Sequence, residues 1–141
     1  MIDLSRFVDA QAEVYDAALS ELRAGRKKSH WLWFIFPQLA GLGSSETSRF
    51  YAIKSIREAE AYMRHPTLGP RLIECTEALL EFHDRSARDI FGSPDDMKLR
   101  SCMTLFASIT PRGFVFDMVI DRYFNGERDS KTLDLLAAAR L

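Results

Sequence analysis

Cysteine is scarce in this chain: Cys75 and Cys102 are the only two, and they form no Cys-x-x-Cys pair. Both fall inside apolar helical patterns, so they are expected as reduced, packed thiols. An excess charge of one sign is also missing. Lys and Arg number 19 against 20 Asp and Glu, for a net charge of −1. Binding nucleic acid over a whole surface needs clustered, surplus cations, so no nucleic-acid partner is expected. Only Arg26, Lys27 and Lys28 make a local basic patch. No apolar run approaches the roughly 18 residues of a membrane span, and no basic-then-apolar signal opens the chain. The expectation is a cytoplasmic protein without a membrane partner. Internal repeats, low-complexity tracts and long linkers are absent too, and nothing in the sequence sets an oligomeric state.

The familiar catalytic signatures are missing as well. There is no His-Glu-x-x-His, no P-loop and no Gly-x-Ser-x-Gly. Gly41-Leu42-Gly43-Ser44-Ser45-Glu46 lacks the third glycine of a dinucleotide loop and follows no strand, so it reads as a flexible turn. His30, His65 and His83 are scattered, without metal-ligand spacing, and read as capping or surface residues. No metal and no cofactor are expected.

What is present is helix, over a length that suits one domain spanning residues 1–141. A chain of this size buries about two-thirds of its unfolded surface, enough for a core without staples, and 47% of it is hydrophobic. Residues 4–24 place Leu4, Phe7, Val8, Val14, Tyr15, Ala18, Leu19 and Leu22 at helical spacing, and Gly25 suits the position after the helix. Ser29 can cap a short segment, 31–36, that is apolar on every face and ends before Pro37. Its composition suits a strand, but no second strand exists to pair with it, so a short buried helix is favoured. Residues 39–47 read as a loop and 50–53 as a helical turn. Ser55 to Glu58 is a capping-box pattern opening a helix to about Arg64. Helices are expected over 68–82, over 86–91 closed by Gly92, and from Ser93-Pro94-Asp95-Asp96 to Ile109. Two more are expected over 114–124, closed by Asn125-Gly126, and over 130–139, capped by Asp129 with Leu133 and Leu136 inward. The fold class is all-α: an irregular multihelical single domain of seven or eight helices. The segments 31–36 and 97–109 are apolar nearly all round and would be its two buried central helices.

Two stretches could carry chemistry. In Lys28-Ser29-His30-Trp31-Leu32-Trp33, the tryptophans bury large areas but need acceptors for their indole N–H groups. Beside Lys28 and His30, Trp31 and Trp33 could form a wall for a planar or anionic ligand, with Gln38 close behind; equally, the run could be a core strut. In Asp95-Asp96-Met97-Lys98-Leu99-Arg100-Ser101, the residues Asp96, Arg100 and Thr104 share one helix face, with Asp95, Lys98 and Ser101 on the adjoining one. Caps and i,i+4 pairs account for Asp95. A polar row running into a core-rich segment is costly unless it meets partners or a ligand.

The stretches SHWLWFIFPQLAGLGSS, YAI, HPTLGPRL, IFGSPDDMKLRSCMTLF and FDMVIDRYFNGERDSKTLDLL resemble the successive motifs of a bacterial family, domain of unknown function eighteen-ten. The likeness runs from about Phe7 to Leu136. It implies a multihelical fold with two buried central helices and carries no established activity. Leu32, Phe34 and Cys102 stand where the resemblance leads one to expect methionine, tyrosine and a second serine, so a hydroxyl at position 34 is not essential. Members are often mislabelled calpastatin. An inhibitor of that kind would be disordered and repetitive, and this chain is neither.

The leading expectation is a small-molecule site between the two central segments, for a planar or phosphorylated, nucleotide-like or ADP-ribose-like metabolite. Trp31 and Trp33 would stack, Lys28 and Arg100 would hold anionic groups, Gln38 and Ser101 would orient the ligand, and His30 and Lys98 would complete the binding residues. If the site is catalytic, Asp95 or Asp96 would act as general base or oxocarbenium stabiliser in hydrolysis of a glycosidic bond. The alternative is a non-catalytic interaction or structural domain in which the polar rows pair among themselves.

Overall fold

The computed structural model describes residues 2–139. Among them are nine helices and no strand. These are α1 (Ser5–Arg23), α2 (Leu32–Ile35), α3 (Glu46–Phe50), α4 (Ile56–Arg64), α5 (Leu68–Leu79), α6 (Ala87–Phe91), α7 (Asp95–Ala107), α8 (Val115–Phe124) and α9 (Ser130–Ala139). The fold is all-α, irregular and multihelical, with one continuous apolar cluster running from Leu4 to Leu136.

Amphipathic spacing accounts for α1, whose inner stripe is Phe7, Gln11, Tyr15, Ala18, Leu19 and Leu22. Gln11 is the polar member of that stripe. Its amide donates to the Phe34 carbonyl at 2.7 Å and to the Tyr62 hydroxyl at 3.1 Å, so its burial leaves those groups paired. Gly25 follows the helix at φ 77°, as its position predicts.

Helix α7 is buried on nearly every side: Leu99 and residues 101 to 106 are all covered. It packs against α6, α8 and α9, while α5 packs against α1, α2, α4 and α8. The aromatic stretch folds as the short helix expected of it. Trp31, Leu32, Ile35 and Phe36 are buried, and Trp33 and Phe34 are half-buried. The buried hydroxyls of α7 return to its own carbonyls, Ser101 to Met97 at 3.2 Å and Thr104 to Arg100 at 2.8 Å.

Several local expectations are corrected. Ser29 does not cap α2, because its hydroxyl donates to Glu21 on α1; Trp31 occupies the cap position. Ser93 does not cap α7 either, since Pro94 holds that position without a side-chain cap bond. Residues 50–53 are not one helical turn. Ser45 caps α3, which ends at Phe50, and Ile53 pairs with Leu39 in an isolated parallel bridge. Ser55 caps α4 by accepting from the Glu58 N–H at 3.0 Å. The Glu58 carboxylate turns instead to the Lys54 N–H at 3.0 Å and to Arg6 at 2.8 Å. Leu133 faces solvent, and Thr132 and Leu136 are the buried side chains of α9.

Candidate functional site

The aromatic stretch and the start of α7 meet through charge. Lys27 Nζ lies 2.9 Å from Asp95 Oδ2, and Lys98 Nζ lies 3.7 Å from Asp95 Oδ1. Each ammonium also sits over an indole: Lys27 is 5.3 Å from the Trp31 ring centroid and Lys98 is 5.5 Å from that of Trp33. The Lys27 side chain is only 7% exposed, so Asp95 compensates a charge that is largely out of water.

A second carboxylate organises the approach to α2. Glu21 accepts from the Lys28 N–H at 2.6 Å, the Ser29 N–H at 3.0 Å, the Ser29 hydroxyl and the Trp31 indole at 2.9 Å. Burial pushes its carboxyl upward. The bonds from Ser29, Lys28 and Trp31 outweigh that and hold it at about 2.

These contacts sort the candidate residues. Trp31 is a core side chain whose indole is already paired with Glu21. Lys28 and His30 are exposed. Asp96 is half-buried and accepts from the Met97 N–H at 2.9 Å. Ser101 bonds within its own helix, and the Gln38 carbonyl accepts from the Ile53 N–H at 2.8 Å. Arg100 donates through Nη2 to the Arg128 carbonyl at 3.0 Å. Two buried side-chain donors have no acceptor among the described residues: Trp33 Nε1 and Arg100 Nε.

Lys27, Glu21 and Gln11 are the residues that sequence reasoning missed. Lys27 had the same signal as Lys28, a place in the basic patch. Glu21 and Gln11 gave none, being ordinary polar residues of an amphipathic helix. Surface depressions lie elsewhere, among them those at Ile2 with Ser55 and Arg57, at Arg112 with Asp117 and Arg128, and beside Gly41 and Gly43. None of these is lined by Lys28, Trp33 or Asp96. Among the described residues no group of three His, Cys, Asp or Glu side chains stands where it could hold a metal ion. No helix of the described residues is long and apolar enough to cross a membrane.

A family model described as "Protein of unknown function (DUF1810)" matches residues 1–136. The crystal structure of the conserved hypothetical protein Rv1873 from Mycobacterium tuberculosis is 52% identical, covers 96% of each chain, and superposes with a TM-score of 0.94. No curated protein matches.

Proposed function

The chain belongs to the DUF1810 family of unknown function, and from that premise we propose that it binds a small anionic, planar or phosphorylated metabolite through residues of α2 and α7. The observation that carries the reading is the pair of buried, unpartnered donors, Trp33 Nε1 and Arg100 Nε. A buried donor without an acceptor costs about 1–3 kcal/mol, and a ligand that supplies acceptors recovers that cost. Trp33, half-buried beneath Lys98, offers a ring for stacking next to a cation. The ligand is nucleotide-like in this reading, and the setting is cytoplasmic, in keeping with two free thiols. Of the two carboxylates, Asp96 is the one left for general-base work on a glycosidic bond, because Asp95 is held between two ammonium groups.

The second reading is a structural or interaction domain without a ligand. The Lys27–Asp95–Lys98 arrangement favours it, since these charges pair among themselves. Thermal unfolding with a panel of nucleoside mono- and diphosphates and ADP-ribose separates the two. A bound compound at about a hundred times its Kd adds about 2.7 kcal/mol of stability. The expected result is a rise in Tm with at least one compound that disappears in Arg100→Gln and falls in Trp33→Phe. No shift with any compound leaves the structural reading.

A further inference from the structure

The glycine-bearing turn between α2 and α3 does more than connect them, because it walls one side of a half-open cavity of about 390 Å³. Ala40, Gly41, Gly43, Ala52, Arg49 and Lys54 line it. It is more enclosed than the depressions beside Ile2 and beside Arg112. Its walls are tied down. The Ala40 N–H donates to the Ile53 carbonyl at 2.8 Å and the Ile53 N–H to the Gln38 carbonyl at 2.8 Å, which clamps the turn to the segment before α4. Gly41 has φ +104°, a left-handed value that suits glycine, and a Cβ there would meet Leu135 of α9 at 3.3 Å. A Cβ on Gly43 would stand 2.5 Å from the Ser48 hydroxyl, so the turn lies directly on α3. A side chain at either glycine would press on a neighbour, Leu135 at position 41 and Ser48 at position 43, so both keep the turn packed closely beside the cavity.

The charge around this space is one-sided. No acidic residue lines the cavity, whereas Arg49 and Lys54 both do. Arg49 is held in place by its Nε, 3.0 Å from the Ser44 carbonyl, and by Nη2 on the same oxygen. Lys54 forms no ion pair among the described residues. Glu58, the acid that follows it in sequence, is spent on the Lys54 backbone N–H and on Arg6. Ala40 and Ala52 add methyl surface to the lining. The volume is at the small end of the roughly 300–1,000 Å³ range of ligand sites.

We infer that this cavity binds a small organic anion, a carboxylate or phosphate monoester with a stem of a few carbons. Lys54 and Arg49 pair with the charge, and Ala40 and Ala52 cover the stem. The site shares no residue with the α2–α7 proposal, so either can fail without the other.

The test is an amide-resolved NMR titration of the full chain, with sodium butyrate and with glycerol 3-phosphate at fixed ionic strength. Sodium chloride is the control. The expected result is saturable shifts at Gly41, Gly43 and Ala52 with at least one of the two salts, and the one that saturates identifies the charged group. Lys54→Gln, a surface change, should raise Kd about tenfold, the loss of one charge-assisted bond. Ala40→Leu, which puts a side chain into the space, should abolish saturation. Equal shifts with chloride, no saturable shift with either salt, or an unchanged Kd in Lys54→Gln would overturn the assignment.

Discussion

Lys27 and Lys28 are neighbours of the same charge with opposite environments. Lys27 is packed against Trp31 and paired with Asp95, while Lys28 is exposed and contributes its backbone N–H to Glu21. A basic run outside a helix carries no phase, so composition alone cannot say which lysine turns inward. The cysteines are the opposite case, because their apolar helical neighbours place them correctly. Both are free and buried. Burial pushes the Cys75 thiol up to about 12, with the Glu74 charge adding to the rise and the Tyr15 hydrogen bond opposing it. Burial likewise raises Cys102 well above the ordinary thiol range. The thiolate is the reactive species. Native protein at neutral pH should therefore leave both thiols unmodified by an aromatic disulfide reagent, and denaturant should release both. Rapid modification of Cys102 in the native state would contradict this account.

At the scale of elements, the junction between α4 and α5 shows why packing overrides propensity. His65 ends α4, and its Nδ1 accepts from the Thr67 and Leu68 N–H groups at 3.1 and 3.2 Å, so a histidine side chain caps α5. Gly69, buried in the first turn of α5, lies where any Cβ would collide with the Met63 carbonyl. Its φ is not left-handed, so the demand for glycine there is steric. Gly92 is the reverse: φ is 73° and no atom lies within 4 Å of a built Cβ. Gly69→Ala should cost about 2–3 kcal/mol, as overpacking does. Gly92→Ala should cost about 1–3 kcal/mol, the strain of an L-residue at φ 73° and ψ −178°, a backbone region that is essentially glycine's alone. Urea unfolding measures both: a Gly69→Ala cost near zero would refute the collision, and a Gly92→Ala cost near zero would refute the strain. The longer helices and their glycine stops were legible because period and cap are local signals. Ser29 and Ser93 misled because a cap is decided by competition, and the Ser29 hydroxyl goes to a carboxylate on another helix. The candidate site was legible as two stretches that meet. Its actual partners, Lys27 with Asp95 and Trp31 with Glu21, depend on side-chain directions that spacing does not encode.

At the scale of the whole molecule, Glu21 ties α1 to the entry of α2 and makes stability depend on acid. Its carboxyl is held at about 2: burial works against the charge, and the bonds from Ser29, Lys28 and Trp31 overcome it. A group whose folded pKa lies below its unfolded value, about 4.3 for Glu, contributes stability that is complete above the unfolded value. That contribution is lost as pH falls through the folded one. Asp3 and Asp89 are shifted the same way, mainly by bonds from the Ser5 and Ser86 backbone N–H groups respectively. Unfolding free energy should therefore be nearly flat from neutral pH to about 5 and decline from about pH 4.5 toward 2. Glu21→Ala gives the decline a residue. At neutral pH it should cost about 2 kcal/mol, because the buried Trp31 indole and the N–H groups at 28 and 29 lose their acceptor. As the wild-type carboxylate is protonated, that advantage should shrink, so the two unfolding curves should converge over the same acid window. A deficit that stayed constant down to about pH 2 would mean that the variant loses packing and that the carboxylate's charge is not what holds the junction.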